Sequence, residues 1–526
     1  MINLIGVHFN SLRHGTSALS VLFILCIQTV YADVKLPAII SDNMVLQQKS
    51  KVKLWGWAAP GERVTIIAGW RKSPQIVLAN KSGNWLVSIP TIAAGGGAYT
   101  ITFKATNTID VKNVLLGEVW FCSGQSNMEF TLAKSPIFWE TGVNNFEKEV
   151  LKVNNPNIRM FTVQHAKADS SLADVKGDWL LANPKNAQLF SAVAWYFGRE
   201  LNVKTGYPIG LINTSWGGTP AESWTKKEVL EADPELKVIL SRYQENLKSY
   251  PQDFAQYKVK LQQWQKDSAI IRSQGHIPPK PPTFVIDPLK LSPYTIYNAM
   301  VAPIIAYSIK GFIWYQGEAN APRAYQYRKL FPAMIKNWRE DHNDMNLPFY
   351  FVQISPHQSQ NPEIREAQLI TWQTVPRTGM TVTIDNGDSA NIHPRNKELV
   401  GKRLSLWPLS HVYGYKNIPY SGPIYRSMKI DGSSIRLYFD YVANGLVAKN
   451  GNLTEFTIAG DDQIFHLADA KIVGNTIVVK SASVPKPIAV RFAWRNVPLP
   501  NLYNSAELPA SPFRTDDWPL TTQGVN

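Results

Sequence analysis

Cysteine is nearly missing from this chain of 526 residues: it occurs only at Cys26 and Cys122. Two thiols are too few to build a thiolate metal cluster, and the nine histidines show no His-x-x-x-His spacing with acidic support, so no metal site is expected. No apolar run is long enough to span a bilayer, which takes about 20 residues, so no integral membrane segment is expected. No block of five or more like charges and no nucleic-acid motif occurs, so the formal net charge of +14 does not point to nucleic acid. No internal repeat of 20–50 residues is visible, which excludes solenoids and propellers.

The longest apolar stretch, Ala18 to Ile27, follows Arg13 and precedes Val30-Tyr31-Ala32. Those are the three parts of a secretory signal peptide over residues 1–32. Its removal leaves Cys122 as the sole cysteine and a charge of +13. An exported protein without an internal disulfide must rely on its core, which fits a bacterial periplasm or cell surface. A diffuse positive field would attract anionic sugars or an anionic envelope.

What the chain does have is length and aromatic side chains. It has 17 Trp, and 44% of its residues are hydrophobic. At about 100–200 residues per domain, about three domains are expected. Residues 33–108 read as a small β-sandwich: Val52–Leu54, Val64–Ile67 and Tyr99–Phe103 are short strands, and Ala59-Pro60-Gly61-Glu62 is a turn. From 109 to 415 apolar strands alternate with amphipathic helices. The strands are Val114–Cys122, Ile209–Ile212, Ile309–Tyr315, Phe349–Ile354 and Thr381–Ile384; the helical faces are Phe190 to Leu201 and Leu330 to Trp338. That pattern predicts an α/β domain with a parallel sheet covered on both faces. A Lys-, Gln- and Glu-rich stretch over 225–285 reads as an inserted surface helical hairpin, a position from which an insertion can rim an active site. From 416 to 526 the β signal returns, with Ile435, Leu437 and Phe439 alternating and Gly474-Asn475 as a hairpin turn.

In an open parallel sheet ligands bind beyond the carboxyl ends of the strands. The segments at those ends are Ser123-Gly-Gln-Ser-Asn-Met128, Asn213 to Thr219, Gln316-Gly-Glu-Ala-Asn320, and Asp385 to Asp388 followed by Ile392-His-Pro394. Together they hold a hydroxyl, an imidazole and amide donors, the parts of nucleophilic acyl transfer. Ser126 is the candidate nucleophile and His393 the candidate base. The Ser126 N–H, Gly217 or Gly218, and the Gln316 amide are candidate oxyanion donors. Met128 replaces the last glycine of a Gly-x-Ser-x-Gly elbow, which points away from the common α/β-hydrolase fold.

Gly117-Glu-Val-Trp-Phe-Cys-Ser-Gly-Gln-Ser-Asn-Met-Glu129, Trp216-Gly-Gly-Thr219, Ile313-Trp-Tyr-Gln-Gly-Glu318 and Ile392-His-Pro394 resemble the sialate O-acetylesterase family. So do the opening Leu36–Leu46 and the closing Leu502-Tyr-Asn504 and Pro512-Phe-Arg514. The resemblance implies an SGNH-type three-layer α/β/α sandwich flanked by β domains and a Ser126–His393 mechanism without cofactor. It also implies an O-acetylated sugar or glycan as substrate. Many SGNH enzymes carry Asp three residues before the histidine, where this chain has Ala390. Asp385, Asp388 or a backbone carbonyl is left to orient the imidazole. Glu318 and Asn320 are expected to support their loop. A sialic acid carboxylate would call for Arg323 or Arg395, and Trp216 is a candidate sugar platform. Acetylated xylan or xyloglucan is an alternative substrate. Two other readings are a glycoside hydrolase using Glu318 with Glu118 or Glu129, and a sugar-binding protein using Trp55, Trp57 or Trp216.

Overall fold

The protein is described from a computed structural model covering residues 33–136, 141–282 and 287–525. The expected leader lies outside the described residues.

A single strand organises the molecule. Thr108–Gly124 is 17 residues long, and burial changes along it from alternating in the first half to continuous in the second. The first half pairs antiparallel with Tyr99–Lys104, and the second lies at the centre of a parallel sheet buried on both faces. Across that sheet the order is Thr378–Thr381, Phe349–Val352, Gly311–Tyr315, Thr108–Gly124, Ile209–Ser215 and Asn155–Thr162, all parallel to their neighbours. Trp179–Ala182 closes the far edge antiparallel, so the sheet as a whole is mixed.

Neighbouring residues of the central strand point to opposite faces, and each finds a helix. Trp120 packs edge-on against Phe197 of the helix Ala192–Thr205, with ring centroids 5.1 Å apart. Phe121 packs against Trp338 of the helix Ala324–Asp341 at 5.5 Å. Lys397–His411 lies beside the first of these helices, its Trp407 stacked 6.1 Å from Tyr350 of the sheet. Helices therefore cover both faces, as the alternating pattern predicts.

Three expectations need correction. The segment 225–285 does not form a hairpin: after the short helix Lys227–Ala232, one 40-residue helix, Pro234–Ser273, runs straight through Pro251. Asp233 caps its start by accepting the Glu235 N–H, and no glycine interrupts it before Gly275. An interior proline removes one backbone donor and crowds the carbonyl four residues back, a cost of about 3 kcal/mol that the hydrogen bonds of a 40-residue helix outweigh. The strand expected over Thr381–Ile384 is instead Thr378–Thr381; the residues after it run past the sheet edge into the loop carrying Asp385.

The N-terminal β region, thirdly, is not closed off from the α/β region. Two small sheets do face each other there, with Trp85 on Phe103 at 5.8 Å. One of them continues into the central sheet, and a single hydrophobic core extends from Val34 to Ile424. The C-terminal strands have a second core, from Ile435 to Phe513, between two antiparallel sheets. There Ser434–Asp440 alternates as expected, and Gly474 turns the hairpin at φ 60°.

Candidate active site

The loops leaving the central strands meet at one cavity of about 880 Å³. Ser126 opens a short helix, Ser126–Glu129, directly after the strand ends at Gly124. Gly124 has φ 144°, and a Cβ there would lie 2.2 Å from the Tyr315 carbonyl oxygen, so no other residue fits this turn. His393 approaches from the loop before Lys397–His411, its N–H donating to Asn391 Oδ1 at 2.8 Å. Its Nε2 lies 2.8 Å from Ser126 Oγ. Burial first, then the positive charge of Lys397 and His357, push the imidazole down to about 4. His393 is therefore neutral at physiological pH and able to accept a proton.

The remaining expected residues divide by where their polar atoms are used. Asp385 forms a two-pronged pair with Arg403, at 2.6 and 2.7 Å, and accepts from Tyr503. Asp388 caps its own exposed turn, accepting the N–H groups of Ala390 and Asn391. Among the described residues neither carboxylate is bonded to His393. Gly217 passes close to Ser126, since a Cβ there would stand 3.2 Å from Ser126 Cβ, but its N–H donates to Glu129 Oε2 at 2.7 Å. Gly218, beside it on the cavity wall, turns the chain at φ 73°. The Gln316 amide is fully buried away from the cavity. It donates to Asn320 Oδ1 at 2.7 Å and to the Thr219 carbonyl, and accepts from the Tyr327 hydroxyl. Asn320 ties its own loop to the segment Ala221–Trp224, accepting from Gln316 and Ala221 and donating to Glu222.

Trp216 and Arg323 line the cavity. Arg395 does not; it donates to the Gly142 carbonyl at 2.9 Å and holds that loop. Glu118 is buried against Gln47, Gln48 and Tyr413, away from the cavity, so it cannot pair with Glu318 across a cleft. Trp55 meets Tyr307 edge-on, at 6.4 Å.

Two groups behind the Ser–His pair are not foreseen from sequence. The first is a buried relay. Lys397, fully buried, donates from Nζ to Asn127 Oδ1 and sits 4.6 Å from the Phe130 ring and 5.4 Å from that of Tyr315. Asn127 Nδ2 donates to Glu318 Oε1 at 2.6 Å and to the Ile392 carbonyl. The segments next to Ser126 and next to His393 are thus pinned to one amide. Burial lowers Lys397 to about 7 against the opposing pull of Glu318, and burial raises Glu318. The sequence offers no signal for this, because a lysine opening a helix reads as a surface residue. Lys397→Met leaves Glu318 buried without its cation, which is expected to cost about 3 kcal/mol in urea unfolding. The double variant Lys397→Met/Glu318→Gln should lose less than the sum of the two singles.

The second group is Glu129 with His165, whose Nε2 lies 2.7 Å from Glu129 Oε1 and 3.1 Å from the Ser215 carbonyl. Both neighbours are acceptors, which assigns the proton to Nε2. The His165 ring stacks on Trp216, 4.3 Å away and tilted by 2°.

Among the described residues no group of three or more His, Cys, Asp or Glu could hold a metal ion, and no helix is long and apolar enough to cross a membrane. The fold and the chain's relatives define a carboxylic-ester hydrolase. Residues 116–405 match the family described as carbohydrate esterase, sialic acid-specific acetylesterase. The sialate O-acetylesterase of Rattus norvegicus is 31% identical, with 90% of this chain and 93% of the relative aligned. The Homo sapiens enzyme of the same name is 29% identical over 90% and 91%. A carbohydrate acetylesterase from Xanthomonas citri superposes with a TM-score of 0.76 at 32% identity, covering 92% of this chain and 100% of that one. The chain belongs to the sialic acid-specific acetylesterase family of carbohydrate esterases.

Proposed function

We propose that the protein is an exported SGNH-type serine esterase that removes O-acetyl groups from sialic acids, with Ser126 as nucleophile and His393 as base. The observation that carries this reading is the 2.8 Å contact between a neutral imidazole and a hydroxyl at the head of the central strand. A serine hydroxyl is a poor nucleophile until a base takes its proton. Ser126 Oγ attacks the acetyl carbonyl while His393 Nε2 accepts the proton. The imidazolium then returns the proton to the departing sugar oxygen, leaving an acetyl-enzyme. Water, deprotonated by the same nitrogen, adds to the acetyl group, and acetate leaves as the Ser126 hydroxyl re-forms.

The negative oxygen of each tetrahedral intermediate needs fixed donors. Ser126 is the first residue of its helix, so its N–H has no partner within the helix and is the natural donor. Gly217 would first have to exchange Glu129 for the oxyanion. Gln316, committed to Asn320 and Thr219, is better read as a brace for the loops than as a donor. Asp385 and Asp388 are committed to Arg403 and to their own turn, which argues against either of them as the group that orients His393.

The test is acetate release from O-acetylated sialic acid compared with acetylated xylan oligosaccharides. A clear preference for the first is expected. A preference for xylan would move the protein to plant polysaccharides, and sugar cleavage without acetate would replace the esterase reading altogether.

A further inference from the structure

The far wall of the cavity carries an imbalance of charge that the acyl-transfer chemistry does not use. Arg242, on the inserted helix Pro234–Ser273, and Arg323, on the loop after Gly311–Tyr315, both turn toward one oxygen of Glu222. Their Nη2 atoms lie 3.2 and 3.6 Å from Glu222 Oε1. The other oxygen of Glu222 is taken by Asn320 Nδ2 at 2.8 Å. Two guanidiniums thus share one carboxylate, and one positive charge is left over. Arg242, Arg323 and Glu222 all line the cavity, and both arginine side chains are about one-fifth exposed, against 4% for Glu222, so the guanidiniums are the more accessible partners. Arg242 has one more contact, at 3.4 Å with Gln326 Oε1, and Arg323 Nε is buried with no partner.

A guanidinium has five donors in a planar fork that matches a carboxylate, so this pair has donors to spare. The same helix brings Tyr243, Asn246 and Tyr250 to the wall, and further along it the carboxylate Asp253, which among the described residues has no ion pair with either arginine. These polar and aromatic groups suit a hydroxylated ring better than an apolar acyl chain. Ser126 and His393 line the same cavity.

We propose that Arg242 and Arg323 form the subsite that holds the carboxylate of an acidic O-acetylated sugar while its acetyl group lies at Ser126. This rests on the Ser126 esterase reading and adds to it the residues that select its acidic substrate. The inserted helix is accordingly a specificity element, since it supplies one of the two guanidiniums.

The experiment compares acetate release from O-acetylated sialic acid and from its neutral carboxamide, in the wild-type protein and in Arg242→Gln and Arg323→Gln. The wild type is expected to prefer the acid through a lower KM. Each variant should reduce the ratio of kcat/KM for acid over amide by about 10–100-fold, mostly through KM, because a charge-assisted bond to the carboxylate is lost. Arg323→Lys should recover part of the ratio. Equal rates on acid and amide in the wild type overturn the subsite without involving any variant, and so does a variant that slows both substrates equally. Turnover of neutral acetylated sugars alone would overturn the subsite and leave the esterase reading standing. No acetate from any acetylated sugar would overturn the esterase reading itself.

Discussion

Replacing Ser126 by alanine is expected to reduce acetate release by about 10⁴–10⁶-fold, the range seen when a serine hydrolase loses its nucleophile. Ser126 Oγ has one partner that matters for the chemistry, His393 Nε2, so little of the fold depends on the hydroxyl. The main tethers of the turn are backbone bonds, Gln125 N–H to the Tyr315 carbonyl at 3.0 Å and Phe130 N–H to the Ser126 carbonyl at 2.8 Å, and alanine keeps both. Unfolding in urea should therefore be close to that of the wild type. The wild-type serine should also be labelled by an organophosphate, and the variant should not. Acetate release within 10-fold of wild type would remove Ser126 from the chemistry.

His393→Ala should cost about 10⁴-fold or more for the same reason. In this case the pH profile says more than the loss. The base works only when neutral. With its pKa held near 4 by burial, Lys397 and His357, kcat/KM should stay flat from neutral pH to about 5 and fall below about 4. An ordinary imidazole would lose activity through about 6.5. Stability follows the same groups: unfolded imidazoles take up a proton near 6.5, whereas His393 and the buried His342 resist until about 4. The contribution of these two imidazoles to stability is then constant above 6.5 and declines as pH falls from 6.5 toward 4, so initial rates are needed to read the acid limb. Asp388→Ala, which removes only a turn cap, should leave that limb where it is. A limb near 6.5 in the wild type would show that the enclosure of His393 does not set its charge.

The central strand, its flanking helices and the Ser–His pair were legible because each rests on local pattern. Continuous apolar runs end at glycine-rich polar loops, and the topology of a parallel sheet places those loops at one edge. Uses of polar atoms were not legible. Gln316 and Gly217 have the right chemistry at the right sheet edge, but Asn320 and Glu129 occupy their donors. Those partners are 4 and 88 residues away, and no spacing rule links them to catalysis. Lys397 and Arg242 escaped for a related reason. A cation on a helix reads as solvent-facing until tertiary packing turns it inward. The hairpin expected over 225–285 failed because the Lys-, Gln- and Glu-rich composition marks a helical surface segment but not where a turn falls, and Pro234–Ser273 continues as one helix.

The 17-residue strand Thr108–Gly124 also limits how the protein can be divided. Its first half belongs to the N-terminal sheet and its last residue lies two positions before Ser126. A truncation that discards residues 33–107 would leave the antiparallel half of that strand with bare edges, a template for intermolecular pairing. It would also strip core from beneath the nucleophile's own strand. The N-terminal strands are thus less an accessory module than a foundation for the catalytic turn. A minimal active fragment would have to begin before Val34, whatever could be spared at the other end.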